Sequence, residues 1–452
     1  MSWYLKESLQ KTVAAEQGTL VYAPGSRRPM ALVYPNTYHV GMSNLGLHII
    51  YEQINSRGDT ACERLFLPDK KTIGEYSRTN TPLLTLENQL PLYEFPLIAF
   101  AVSFEMDYFN LLTILMLGKV PMVAAERGEG DPLVIIGGPC ATFNPEPLAD
   151  FVDACIIGEG EEVMQDFLDS YYDSLQQGLP REELLLRLAQ IEGVYVPRFY
   201  QPVYAADGSI ERYERQSVVP AKVNRRYIKD LGKYPAQTVI VTSETEFKDM
   251  YLIEVARGCG RHCRFCMAGY CFRNPRVHSL AQIAESVKRA KLFKAKVGLM
   301  GASLTLSINP FIPKPFTPFQ WLPMASMEEV SSSLKYIQTT LKKRKGVEVL
   351  IEQPKEAYIQ SVLARGDRRL GQVLLTAVAS GGVKGWKQAL KAHKVDEKFY
   401  LYRPRGEAEV LPWDNLSMGF DKSYLLAEYH QAQDEKYTPP CSAGCKRCGV
   451  CQ

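Results

Sequence analysis

Between residues 30 and 175 the apolar positions follow two alternating patterns. Four short runs are apolar throughout: "MALVYP" (30–35), "LIAFAVSF" (97–104), "PLVIIGG" (132–138) and the head of "ACIIGEGEE" (154–162). Stretches with helical spacing lie between and after them. "SNLGLHIIYEQINSR" (43–57) opens on an N-cap serine, Ser43, and repeats at Leu47, Ile50, Tyr51 and Ile54. "YFNLLTILMLG" (108–118) and "VMQDFLDSYYDSL" (163–175) read as helices by the same rule. Strands without polar alternation are covered on both faces. The pattern therefore predicts an α/β class, with a doubly wound, Rossmann-like parallel sheet complete enough to fold alone.

Residues 190–245 break into short β-prone pieces with Pro and Gly, read as a linker with a hairpin. A second α/β segment begins at "YLIEVARG" (251–258), with a strand at 251–256, a helix at 279–293 and a strand at 296–300. The chain from 326 is helix-rich, then loose and proline-bearing. Three parts are expected: 1–215, 216–325 and 326–452, the last ending in a four-cysteine motif.

Composition changes this picture little. The chain has 452 residues, and its net charge of +3 is too small to argue for nucleic acid. The basic stretch 384–405, with Trp386, Tyr400 and Tyr402, reads as a solvated helix and strand or as a surface that stacks bases. No apolar signal-peptide core or bilayer-length run occurs, so the expected address is the cytoplasm. There the eleven cysteines should be reduced, and seven of them fall in two tight clusters.

The first cluster is "EVARGCGRHCRFCMAGY" (254–270), which sets Cys259, Cys263 and Cys266 on one loop after an apolar run. Three thiolates can hold three irons of a [4Fe–4S] cube and leave the fourth open to a small molecule. Arg257, Arg261 and Arg264 favour thiolate over thiol. The alternative is a zinc knuckle with His262 or Cys271 as fourth ligand.

The spacing C-x3-C-x2-C, with Phe265 just before the third cysteine, resembles the radical S-adenosylmethionine (SAM) superfamily. The resemblance implies that the cysteines hold the cluster and that the open iron chelates SAM, which is cleaved to a 5′-deoxyadenosyl radical. It places Phe265 beside the adenine and Gly298 and Gly301, in "AKVGLMGAS", near the SAM amino group. The acidic residue often found in that segment is absent. "PLVIIGGPCATFNPEPLADFVDACIIGEGEE" resembles the cobalamin-binding-type domain that precedes the core in one branch of the superfamily. Gly137, Gly138, Gly158, Glu159 and Gly160 would then face the core. The D-x-H-x-x-G motif that ligates cobalt is missing, and His39, in "NTYHVGMSNLG", reads as a loop or core histidine. Cobalamin is then bound without a protein histidine or not at all. Residues 20–325 are similar to a bacterial subfamily that carries "SINPFIPKPFTPFQW" (307–321) and a cysteine-rich end.

The resemblance implies a radical SAM iron–sulfur enzyme with a low-potential electron donor such as flavodoxin or ferredoxin. Its substrate, RNA or protein among the options, and its catalytic residues are unassigned. The alternatives are a cobalamin-dependent radical methyltransferase and a non-catalytic metal-binding remnant. A six-unit partial barrel needs roughly 190 residues, whereas Tyr251 to Pro323 is 73. The middle units are missing between Ala302 and Ser303, which predicts a shortened core and weak SAM binding. The strand at 303–308 must then pair out of order or leave an edge open.

The second cluster, "CSAGCKRCGVCQ" (441–452), repeats the spacing and adds a fourth cysteine. Cys441, Cys445, Cys448 and Cys451 can enclose a zinc or bind an auxiliary iron–sulfur cluster. Lys446 and Arg447 are expected on its outer surface.

Overall fold

The computed structural model describes residues 2–248, 250–293, 304–341, 347–442 and 444–450. The expected strand at 296–300, Gly298, Gly301 and Cys451 lie outside them.

The four apolar runs form the strands they predict, β1 (Arg28–Tyr34), β3 (Leu97–Ala101), β4 (Leu133–Gly137) and β5 (Ala154–Ile156), and two strands outside those runs join them, β2 (Thr60–Phe66) and β6 (Val194–Tyr195). They make one sheet in the order β2-β1-β3-β4-β5-β6, parallel except for β6. The order reverses between β1 and β3, so a crevice opens there at the carboxyl ends of the strands. Helix Leu45–Asn55 packs with helix Gly160–Gln176 beside the sheet. The first of these is capped by Asn44, not Ser43: the Asn44 carboxamide accepts from Leu47 N at 3.2 Å, and the Ser43 hydroxyl donates to His39 O. The β7 (Tyr200–Tyr204) and β8 (Ile210–Arg215) hairpin is the one expected in the linker.

β2 escaped the sequence pattern because its centre is Glu63-Arg64, yet both side chains are buried. Arg64 Nη2 lies 2.7 Å from Glu16 and its Nε 2.6 Å from Glu87, while Glu63 is taken up by Thr85 and Asn88. Burial is tolerable because every charge has a partner.

The middle of the chain is thinner than expected. After β9 (Val223–Asn224) the strand expected at 251–256 narrows to β10 (Ala256–Arg257), antiparallel to β11 (Arg276–Val277). The linker takes the missing hydrogen bonds: Thr238 N donates to Leu252 O at 2.9 Å, and Glu254 N to Ala236 O at 2.8 Å. Helix Leu280–Leu292 is as predicted, with Ser279 and Gln282 forming a capping box. β12 (Leu304–Ile308) does not keep an open edge on both sides. It pairs in parallel with β13 (Val347–Ile351), from beyond the expected core, after the helix Met327–Leu341. β14 (Leu416–Ser417) pairs with β9.

The helix-rich carboxyl-terminal part closes on the amino-terminal sheet domain. Helix Leu370–Ala379 packs on helix Asp107–Leu117, and the Trp386 ring meets Phe109 edge-on at 5.7 Å. Asn144 Nδ2 donates to the carbonyls of Ala364 and Gly366, and Arg368 pairs with buried Glu146 at 3.1 Å. One apolar cluster runs from Leu5 to Met418. Trp386 and Tyr400 are 1 % and 2 % exposed, so neither can stack a base and that reading of 384–405 falls. Among the described residues no helix is long and apolar enough to cross a membrane.

Candidate functional site

Gly137, Gly138, Gly158, Glu159 and Gly160 line one cavity of about 420 Å³ at the carboxyl ends of the sheet strands. Its walls include Leu32 and Ala99–Ala101 on either side of the switch in strand order, with Arg257, Gly258 and Phe272 closing it from the cysteine-loop side. Two of the glycines are required by geometry. Gly138 has φ +95°, and a Cβ there would stand 2.8 Å from Val102 O. Gly158 has φ +106°, and its Cβ would meet Arg226 O at 2.1 Å. His39 is not among the lining residues; it is half-exposed and 3.4 Å from Glu246.

The G-E-G-E segment does face the cysteine loop, but through its carboxylates. Glu159 receives both terminal nitrogens of Arg276, at 2.5 and 2.8 Å, and the Ile228 N–H at 2.8 Å. Glu161 pairs with Arg257 at 2.8 Å, and Arg257 also holds Glu254 at 2.9 Å. Burial pushes the Glu161 carboxyl up, against the pull of the Arg257 charge. Arg257 and Arg276 are the paired residues of β10 and β11, the hairpin whose tip carries the cysteines. Glu159 and Glu161 therefore clamp the base of the loop, whereas the sequence alone suggests a cofactor contact at Glu159.

On the loop itself, Cys263 is exposed, Cys259 and Cys266 are half-buried, and all three are free thiols. The turn closes through Cys266 N to Cys263 O at 2.9 Å, after His262 in the left-handed region at φ +54°. Among the described residues no three His, Cys, Asp or Glu side chains converge on a single metal ion. A cube spreads its irons over separate corners, so three open thiols on a short loop suit it in donor chemistry. Phe265 is also open, but it lines a different cavity of about 640 Å³ with Phe104, Phe311, Lys314 and Glu352. The cysteine loop thus stands between two cavities, with the glycine set on one side and Phe265 on the other.

The knuckle alternative finds its candidates engaged elsewhere. Cys271 is buried and its thiol is pushed up by that burial. His262 Nε2 lies 3.1 Å from Cys441 Sγ, and Cys441 N donates to Gly260 O at 2.9 Å. Arg264 pairs with buried Glu428 at 3.1 Å and with Thr438 at 2.8 Å. The carboxyl-terminal cysteine segment is therefore docked on the first loop. Cys445 is half-buried, Cys448 buried, and Lys446 and Arg447 are exposed as expected. Arg273, which in the sequence is one more loop arginine, sits between the two cysteine segments.

Residues 46–197 match the family of amino-terminal domains of radical SAM proteins. An uncharacterized protein of Methanocaldococcus jannaschii is 25% identical over 281 residues, 61% of this chain and 49% of its own. The chain spans about half the length of this curated relative. A radical S-adenosylmethionine methyltransferase, TsrM, from Kitasatospora setae is similar in structure over 59% of this chain and 46% of its own, with 15% identity and a TM-score of 0.33. The radical SAM amino-terminal match covers β2 to β6, nearly all of helix Leu45–Asn55 and the whole of helix Gly160–Gln176, and with them Gly137, Gly138, Gly158, Glu159 and Gly160 of the cavity wall.

Proposed function

We propose that this chain is a radical SAM iron–sulfur enzyme, with Cys259, Cys263 and Cys266 holding a [4Fe–4S] cluster and SAM on the Phe265 side of the loop. The observation that carries this reading is the cysteine loop clamped by Glu159 and Glu161 onto a domain of the radical SAM family. When bound, the cluster held by Cys259, Cys263 and Cys266 would supply the electron for reductive cleavage of SAM to methionine and a 5′-deoxyadenosyl radical. The chain's own residues hold the loop: Arg257 and Arg276 fix its base, and Gly258 lets the backbone turn at φ +85° where a side chain would strike Phe272 O. The glycine-lined cavity, which the loop borders on its other side, is a second space open to a small molecule.

A cobalamin-dependent methyl transfer would use that same cavity. No histidine lines it among the described residues, so the corrinoid would lack a protein ligand at cobalt.

The test is anaerobic reconstitution, iron and sulfide analysis, and assay of 5′-deoxyadenosine with a reductant. Replacing the three cysteines with alanine should remove one cluster's worth of iron and all SAM cleavage. Unchanged iron would overturn the assignment. Calorimetric titration with SAM should give weak binding, because the usual middle strands contribute no walls; micromolar affinity with cleavage would show the short core to be sufficient.

A further inference from the structure

The glycine-lined cavity has the doubly wound layout that elsewhere cradles phosphate on strand-end amides and helix N-termini. Here those amides are spent inside the fold. Gly158 N donates to Thr142 Oγ1 at 3.0 Å, Glu159 N to Arg226 O at 3.0 Å, Cys140 N to Val102 O at 3.2 Å and Leu47 N to Asn44 Oδ1 at 3.2 Å. The helix Gly160–Gln176 also brings its own acids, with Glu159 at the N-cap and Glu161 and Glu162 in the first turn. Carboxylates at that end take the favourable place an outside anion would fill.

The rest of the wall carries no unpaired charge. Glu159 is held by Arg276, and Glu161 and Glu254 share Arg257 at 2.8 and 2.9 Å. No lysine or histidine lines the space among the described residues. Its two neutral polar side chains, Asn44 and Ser103, bond each other at 3.3 Å. Leu32, Ile49, Ile50, Phe100, Ile135 and Met164 make much of the remainder apolar. At about 420 Å³ the cavity falls in the range of about 300–1,000 Å³ that takes a small organic ligand. An anion entering would lose its water and find neither donor nor counter-charge, whereas apolar surface gains by entering.

We propose that this cavity binds an uncharged, largely apolar small molecule and refuses phosphate-bearing ligands, nucleotides and cobalamin among them. Cobalamin belongs to that class through the phosphodiester of its nucleotide tail. Arg257, Gly258 and Phe272 form one wall, so the occupant touches the hairpin that positions Cys259, Cys263 and Cys266. The proposal deepens the radical SAM reading by naming what the second space takes. Its test needs neither cluster nor SAM, so the two fail separately.

The experiment titrates the full-length chain, without reconstitution, with the neutral dye N-phenyl-1-naphthylamine by equilibrium dialysis. The parent should take up the dye at a single saturable site. Ala101 and Gly137 are register partners of β3 and β4 on the cavity wall, and a Cβ at Gly137 would meet only Ile156, at 3.6 Å. Ala101→Phe and Gly137→Leu therefore fill the space and should each weaken dye binding about 10-fold or more. Thermal melting identifies a variant that fails to fold, and one folded variant suffices. AMP and hydroxocobalamin in excess should leave the bound dye in place. Displacement by either, a parent that takes up no dye, or parent-like binding in a folded filled variant would overturn the proposal.

Discussion

Glu159 and Arg276 form a two-pronged ion pair, at 2.5 and 2.8 Å, that ties the end of β5 to the hairpin carrying Cys259, Cys263 and Cys266. Both partners are almost fully buried. Truncating one leaves the other charged and dry, at a cost of about 3–5 kcal/mol. Glu159→Ala should therefore lower the melting temperature and, in reconstituted protein, loosen iron at the first loop. Iron loss without loss of the amino-terminal fold is the expected pattern in a combined melting and iron-retention experiment.

Gly158 offers a sharper perturbation beside it. Alanine there must adopt φ +106° and press its Cβ to 2.1 Å from the Arg226 carbonyl oxygen. The strained backbone alone costs about 1–3 kcal/mol, and the Arg226 segment must also move. Chemical denaturation of Gly158→Ala should show a loss at least that large. Gly178→Ala also needs a positive φ but has nothing within 4 Å, and it should lose less.

The buried Glu16–Arg64–Glu87 triad predicts a pH dependence. Burial pushes Glu87 up to about 7, whereas hydrogen bonds and the Arg64 charge outweigh burial at Glu16 and pull it below the ordinary value. Between the ordinary carboxyl range and 7 the folded protein holds a proton at Glu87 that the unfolded chain has lost. Stability from this group is therefore greatest at low pH and falls as pH rises through about 7. Glu87→Gln should flatten that part of a stability–pH curve. An unchanged slope would show that Glu87 is ionised throughout.

The alternation of strands and helices in residues 30–175 suggests a unit that folds alone, but the packing alters that expectation. Phe109 and its helix are covered by Trp386 and the helix Leu370–Ala379. A chain ending at residue 215 should expose this face and associate, as light scattering would show. Adding residues 350–420 in trans should restore a monomeric, cooperatively melting species.

The parts of this protein that the sequence made legible are those with a local cause. Apolar runs such as 132–138 declare a strand, Ser279 and Gln282 declare a helix start, and the cysteine spacing declares a ligand loop. What stayed hidden depends on partners far along the chain. β2 carries Glu63 and Arg64 at its centre, and it takes Glu16, Thr85, Glu87 and Asn88 to make those charges tolerable inside. Arg273 looks like any loop arginine until Cys448 and His262 arrive beside it. Strand 251–256 shrank because the linker at 236–238 claimed its hydrogen bonds.

The interlock of Asn144, Glu146 and Phe109 with Ala364, Arg368 and Trp386 makes the two ends of the chain one body, with the cysteine-bearing segment strung between them. Closing a loop costs only about 0.6 kcal/mol more for each doubling of its length. A body stapled in this way is almost indifferent to how many residues bridge its halves. Whole βα units can enter or leave the bridge without the scaffold noticing, and the surroundings of the cysteine loop can be rebuilt while the framework beneath stands unchanged.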